Sequence, residues 1–203
     1  MKKIIEATGK ETLIGIDIGS TTAKVVVVKD GCIVHSRYER HMSQVREKTL
    51  ELLRDANEFI SGEDIKVAVS GSAGLGMANA AGINFVQEVF ATGEIVKTLS
   101  PETSAVVELG GEDAKVIFFA GGTDERMNGS CAGGTGAFID QMATLLNVTP
   151  DELDELSLKS ERIYPIASRC GVLQKQISNH CSIKVPERKI LQQVYIRQLS
   201  IRP

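Results

Sequence analysis

The feature that most constrains the fold is a strand–glycine turn–strand pattern that occurs twice. The first copy reads GIDIGSTTAKVVVV (15–28) and the second reads VELGGEDAKVIFF (107–119). Each has an apolar run, a glycine turn with an aspartate close by, then Ala-Lys and a second apolar run. Asp17 and Asp113 lie 96 residues apart. A repeat on this scale predicts two similar lobes.

The segments around the two copies predict the remaining elements. Residues 13–19, 20–30 and 31–39 are β-branched runs closed by Gly or Asp-Gly, which predicts two consecutive hairpins. Later elements follow from periodicity and caps: a helix over 44–60, a strand over 65–71 ending in the glycine loop GSAGLG, a helix over 85–99, three strands with two glycine turns over 105–128, a helix over 135–146, and a second helix from a Thr149 capping box.

Either glycine turn could hold a phosphate. A strand–Gly–Ser/Thr–strand turn offers backbone N–H groups and hydroxyls to one anion. Asp17 at the strand end suits Mg²⁺, which binds through one or two carboxylates plus substrate phosphates. Asp113 could do the same or orient an attacking water. The alternative is a plain tight hairpin whose aspartate bonds to its own turn.

Composition excludes several classes of protein. The chain has 203 residues, 42% of them hydrophobic, and no apolar run long enough to span a membrane. Its start lacks the apolar core of a signal peptide, and four cysteines favour reduced thiols, so we expect a cytoplasmic protein. A net charge of −3 disfavours nucleic acid as the main partner.

The stretch NGSCAGGTGAFIDQMATLL (128–146) places Cys131 in a polar loop at the start of a predicted helix. The positive end of the helix dipole favours the thiolate, the form that binds metal, attacks or is oxidised. An inert structural thiol, a nucleophile without a nearby histidine, and a zinc ligand without a C-x-x-C pair are the alternatives. Cys32, on a strand, is predicted to be core, and Cys181 is assigned no role.

Several of these motifs together resemble a known family. GIDIGSTTAKVVVV and VELGGEDAKVI are similar to the two phosphate motifs of the actin/Hsp70/sugar-kinase superfamily. NGSCAGGTGAFIDQMA followed by PIASRCGV (165–172) narrows the likeness to the BadF/BadG/BcrA/BcrD-type ATPases, the activators of 2-hydroxyacyl-CoA dehydratases and benzoyl-CoA reductases. The resemblance covers about residues 13–172 and is strongest to the first ATPase repeat of the long activases. Glu108 and Glu112 depart from the Asp and Gln usual in single-repeat activators.

The resemblance implies an α/β fold of the actin-like (ribonuclease H-like) type, with a first lobe at 1–100 and the start of an incomplete second lobe at 101–172. It implies ATP and Mg²⁺ between lobes, and a homodimer sharing one [4Fe–4S] cluster held by Cys131 and Cys170. An electron donor such as ferredoxin or flavodoxin would supply electrons for an acyl-CoA dehydratase or reductase partner. Asp17 and Asp113 would serve Mg²⁺ and water. The residues implied for the nucleotide are Gly19, Ser20, Thr21, Thr22, Lys24, Gly110, Gly111, Gly133 and Gly134, with a solvated Lys24 as the alternative.

Two other functions remain open at this stage. A sugar or acetate-type kinase of the same superfamily would share the phosphate turns but have no use for Cys131 and Cys170. A regulatory nucleotide-binding module would share the turns and carry no electron chemistry.

The last segment, 173–203, has a different composition. All 19 glycines precede it, and it carries six Lys/Arg against one Glu. Back-translation with one nucleotide restored near codons 172–173 can give a sequence resembling the long activases after their second cysteine. We therefore predict an out-of-frame tail, and weak or no ATP binding by the chain as written.

Overall fold

The computed structural model describes residues 11–60, 64–127 and 133–159. These residues form a mixed α/β structure that divides into two compact units. The first unit consists of the described residues up to Val106 and of Val116–Glu125. The second consists of Val107–Lys115 and of the described residues from Arg126 onward. None of the helices in this described part of the chain is long and apolar enough to cross a membrane.

The first unit is built on a five-stranded mixed sheet. Its strands are β1 (Thr12–Ile18), β2 (Thr22–Lys29), β3 (Cys32–Arg40), β4 (Ile65–Ser70) and β5 (Asn84–Phe85), in the order β3-β2-β1-β4-β5. Strand β1 pairs antiparallel with β2 and parallel with β4, and β2 pairs antiparallel with β3. The two predicted hairpins are confirmed. Asp30 and Gly31 both have positive φ (48° and 78°), as a two-residue turn of this kind requires.

Helices cover one face of this sheet. They are α1 (Val45–Ala56), followed by a 3₁₀ turn at Asn57–Phe59, and α2 (Gly74–Ala81). Ile14, Ile16 and Ile18 alternate inward along β1 and pack in one core with Leu52 and Ala78 of these helices. The helix predicted over 44–60 is confirmed, whereas α2 was missed because its first three residues lie in GSAGLG, which we interpreted as a loop.

The remaining elements follow in the predicted order. They are α3 (Glu88–Leu99), a three-stranded sheet in the order β6 (Ala105–Leu109), β7 (Ala114–Phe118) and β8 (Asp124–Met127), then α4 (Gly136–Leu146) and α5 (Pro150–Leu158). Phe138, Met142 and Leu146 of α4 form a core with Leu153 of α5. The capping box at Thr149 is confirmed, with Glu152 bonded back to the Thr149 amide at 2.7 Å.

Candidate functional site

The first candidate turn joins β1 to β2 in the first unit. Its own closing bond runs from the Gly19 N–H to the Thr22 carbonyl at 2.9 Å. No group in the described part of the chain accepts a hydrogen bond from the amides of Ser20 or Thr21. Two adjacent amides therefore remain for a ligand, which is the donor set of an anion cradle.

Asp17 and Lys24 face each other across this turn. The two are directly paired in the β1–β2 ladder, and Lys24 Nζ lies 2.5 Å from Asp17 Oδ2. The other oxygen, Asp17 Oδ1, is buried and accepts no hydrogen bond from any described residue. A buried carboxylate oxygen without a donor suits a cation or its water shell, so the residue fits Mg²⁺. Lys24 is paired with Asp17 and lies 5.3 Å from the centre of the Tyr38 ring, while its side chain is 40% exposed, so its role toward a phosphate stays a prediction.

This pair lines a cavity on the sheet face opposite the helix-covered core. The cavity has a volume of about 600 Å³, within the range of small-molecule sites. Its other lining residues are Gly, Ala, Val and Ile, and its polar lining residues are Asp17, Lys24, Ser36, Arg37, Tyr38 and Ser70.

Gly71 holds the end of β1 from the neighbouring strand. Its φ is +93°, and a Cβ at this position would lie 2.2 Å from the Ile18 carbonyl oxygen and 2.6 Å from Asp17 Oδ1. The Ala73 amide donates to the same Ile18 carbonyl at 2.9 Å. Only glycine therefore lets this loop pack against the strand end that carries Asp17. The sequence flagged GSAGLG as a glycine loop but gave no sign of this contact.

His41 is a site residue that the sequence interpretation missed. It is 5% exposed, its Nε2 lies 3.1 Å from the Gly19 carbonyl oxygen, and its backbone N–H donates to the Thr21 carbonyl at 3.1 Å. It stands 22 residues from Gly19 in a polar stretch, and no short motif links the two positions.

The second candidate turn joins β6 to β7, in the second unit. Helix α4 begins against it: the Gly136 and Ala137 amides donate to the carbonyls of Gly110 and Gly111 at 2.8 and 3.0 Å. A Cβ on Gly136 would lie 3.1 Å from the Gly110 oxygen. Gly136 therefore makes a close approach to the second turn; Gly133 and Gly134 precede it, Gly134 with a φ of 89°, and their role toward the nucleotide stays a prediction.

Carboxylates and a lysine surround this second turn as well. Lys115, which is buried, lies 3.7 Å from Glu108, and Asp113 is exposed. Lys115 follows Lys24 by 91 residues and Glu108 follows Asp17 by the same 91, so the two cross-strand pairs are equivalent. The repeat therefore aligns Asp17 with Glu108, and Asp113 with Thr22.

The structure thus assembles the sequence-predicted residues in two separate groups. Asp17, Gly19, Ser20, Thr21, Thr22 and Lys24 lie together in the first unit, and Gly110, Gly111, Asp113, Gly133 and Gly134 belong to the second. Cys131 and Cys170 lie outside the described residues, as does the predicted tail from residue 173. Within the described residues, no three His, Cys, Asp or Glu side chains cluster as metal ligands would.

Residues 14–194 match the BadF/BadG/BcrA/BcrD ATPase family. The chain belongs to this family. The match reaches beyond residue 173, and the out-of-frame origin of the tail stays a prediction.

Among its relatives is the (R)-2-hydroxyglutaryl-CoA dehydratase activating ATPase of Acidaminococcus fermentans. The two are 32% identical over 166 residues, which cover 78% of this chain and 63% of the relative. The chain thus spans less than two thirds of that relative's length.

Two solved structures share the fold. The crystal structure of A. fermentans (R)-2-hydroxyglutaryl-CoA dehydratase component A matches with a TM-score of 0.80 at 25% identity, covering 93% of this chain and 74% of that one. The Clostridium difficile activator of 2-hydroxyisocaproyl-CoA dehydratase, solved with bound ADPNP, matches with a TM-score of 0.74 at 28% identity, covering 94% and 77%. The predicted actin-like α/β class is confirmed.

Proposed function

We propose that this chain is an ATP-dependent activator that delivers a low-potential electron to an acyl-CoA dehydratase or reductase. Membership of the ATPase family and the names of the relatives support the class of reaction. The observation that carries the proposal is the first turn, where no described residue donates to the buried Asp17 Oδ1 and none accepts from the amides of Ser20 and Thr21.

The first turn would hold the phosphates of ATP. The amides of Ser20 and Thr21 would donate to phosphate oxygens, with the hydroxyls of Ser20, Thr21 and Thr22 near the same anion. Asp17 would hold Mg²⁺ or its water shell. Lys24 already lies 2.5 Å from Asp17, so a phosphate placed at the turn would compete with the carboxylate for the ammonium.

The second turn would contribute Asp113 and the glycines of its backbone. Asp113 is exposed, so its carboxylate can accept a proton or orient a water that attacks the terminal phosphate. Gly110 and Gly111 have their carbonyls occupied by α4, which leaves the opposite side of the same peptides for nucleotide.

The electron carrier would be a [4Fe–4S] cluster shared by two copies of the chain. Cys131 and Cys170 would supply two thiolates from each copy, which together make the four such a cluster needs. When bound, this group accepts and donates single electrons at low potential. The first amides of α4 already bond to Gly110 and Gly111, so we assign the helix only its dipole as support for the Cys131 thiolate.

Metal analysis of anaerobically purified and reconstituted protein tests this proposal. We expect about four iron and four sulfide per pair of chains. In an intact version of this domain, Cys131→Ala and Cys170→Ala should each lose them while nucleotide affinity stays within twofold. Cys32→Ala is the matched control, because Cys32 is a half-buried free thiol on β3 and should keep the full iron content.

Two results would contradict the proposal. Colourless, iron-free protein after reconstitution would favour a kinase or a regulatory module, and full iron content in either cysteine variant would refute the ligand assignment. Tight, stoichiometric ATP binding by the 203-residue chain would refute only the out-of-frame prediction for the tail, which sequencing of the gene also decides.

A further inference from the structure

His41 is held in place by a strained turn. Met42 and Ser43, directly after it, have φ values of 47° and 64°. These lie in the left-handed region, which residues other than glycine rarely adopt. The Gln44 amide closes the turn on the His41 carbonyl at 2.7 Å, just before α1 begins. Strain of this kind persists only where the surrounding structure requires it.

The strained turn also fixes the tautomer of the ring. The Ser43 backbone N–H, which can only donate, lies 3.2 Å from His41 Nδ1. Nδ1 must therefore be the unprotonated acceptor, so Nε2 carries the hydrogen and donates to the Gly19 carbonyl at 3.1 Å. The buried His41 ring thus holds the Gly19 carbonyl, and the His41 backbone amide holds the Thr21 carbonyl, both in the first turn.

We propose that His41 is the positioning residue of the first turn: by holding the Gly19 carbonyl it aims the Ser20 amide at the bound phosphate. The C=O of Gly19 and the N–H of Ser20 belong to one planar trans peptide, so they point in opposite directions. Fixing the carbonyl toward His41 fixes the amide toward the other side. It also turns a carbonyl oxygen, which would repel an anion, away from the ligand.

The second turn supports this interpretation independently. Gly110 is equivalent to Gly19 when the two copies are aligned at Lys24 and Lys115, and its carbonyl is also held, by the Gly136 amide at 2.8 Å. The same carbonyl is therefore occupied in both turns, by a helix amide in one and by an imidazole in the other.

The inference rests on the proposed nucleotide site, and two isosteric variants test it. In His41→Gln the side-chain amide reaches as far as Nε2 and can still donate to Gly19. In His41→Asn it is shorter and can replace only Nδ1. Both variants bury an amide at the same place, so a general loss of stability is common to both.

Two measurements on the full chain apply to each variant. The first is hydrogen exchange of the Gly19 amide, which bonds to Thr22, with the Val25 amide in β2 as internal reference; the second is MgADP affinity by calorimetry. Loss of one hydrogen bond should speed Gly19 exchange and weaken MgADP binding by roughly five- to tenfold in His41→Asn. His41→Gln should stay within twofold on both.

The outcomes separate this inference from the proposed function. Equal effects in the two variants, unchanged Gly19 exchange in His41→Asn, or unchanged MgADP affinity despite faster exchange would each overturn the positioning role. If the unaltered chain binds no MgADP, as the out-of-frame tail predicts, Gly19 exchange alone decides the role of His41, and the iron content decides the proposed function. The ¹⁵N chemical shifts of the His41 imidazole in the unaltered protein report its tautomer and need no variant. A tautomer with the hydrogen on Nδ1 would overturn the inference.

Discussion

The first turn, from Asp17 to Lys24, and the second, from Glu108 to Lys115, have the same spacing between the carboxylate and its lysine but are supported by different neighbours. The second turn rests on the first amides of α4, which donate to Gly110 and Gly111. The first turn rests on His41, which bonds to the Gly19 carbonyl, and on the loop after β4, where the Ala73 amide donates to the Ile18 carbonyl. In both turns the carbonyl of the equivalent glycine, Gly19 or Gly110, therefore accepts a hydrogen bond. The donor is a side chain in the first turn and a backbone amide in the second.

The largest effect is expected at Gly71, which lets the loop after β4 pack against the first turn. We expect Gly71→Ala to lower the free energy of unfolding by about 3 kcal/mol, because its Cβ would overlap the Ile18 carbonyl at 2.2 Å and its φ is +93°. Gly76→Ala is the control. That position lies in α2 with nothing within 4 Å of a new Cβ, and alanine should stabilise it by up to about 1 kcal/mol. Urea denaturation measures both, and equal stability of the two variants would refute the steric argument.

The next largest effect is expected from the carboxylates of the two turns, Asp17 in the first and Asp113 in the second. In an intact version of this domain, Asp17→Asn and Asp113→Asn should each lower ATP hydrolysis roughly 100-fold relative to the unaltered protein, through loss of charge beside Mg²⁺ and water. Stability should change by less than about 1 kcal/mol, because Asp17 is one third exposed and exposed ion pairs contribute little.

Glu112→Gln is the matched control for these two variants, as it removes an exposed carboxylate next to Asp113. It should leave hydrolysis within twofold. Unchanged turnover in both aspartate variants would dismiss their proposed roles, whereas an equal loss in Glu112→Gln would indicate a general effect of charge.

The smallest expected effect is at the capping box of Thr149 and Glu152, which begins α5. Helix α5 packs against α4, the helix that supports the second turn. The pKa of Glu152 is lowered from 4.5, chiefly because its carboxylate accepts the Thr149 backbone hydrogen bond. A lowered pKa in the folded state adds stability above the unfolded pKa, and this is lost as pH falls through the folded value. The wild type should therefore lose stability below about pH 4.5 relative to Glu152→Gln, which keeps an acceptor without a charge. Parallel denaturation curves of the two proteins across that range would contradict the assignment.

Local patterns predicted much of the fold. The two hairpins of β1, β2 and β3, with the Asp30-Gly31 turn, and the Thr149 capping box are decided by near neighbours, so they were predicted correctly from the sequence. Helix α2 was missed because glycines at both 74 and 76 weaken its helical signal.

The parts of the site that the sequence did not predict depend on distant contacts. The contact of Gly71 with Asp17 spans 54 residues, and that of Gly136 with Gly110 spans 26. The repeat was first read at 96 residues, from Asp17 to Asp113, whereas the ion pairs align it at 91. The shared Ala-Lys dipeptide carried the correct offset, and His41 had no comparable signal.

The parallel pairing of β1 with β4 has a consequence for how this site forms during folding. Strands β1, β2 and β3 meet through short turns, whereas Thr12 pairs with Ile65, 53 residues away. The local hairpins carry little loop-closure entropy and should form early, while β4 must close a long loop before its contacts contribute. Gly71 arrives with β4, so the end of β1 that carries Asp17 should gain its final geometry only after the hairpins have formed, late on the folding pathway.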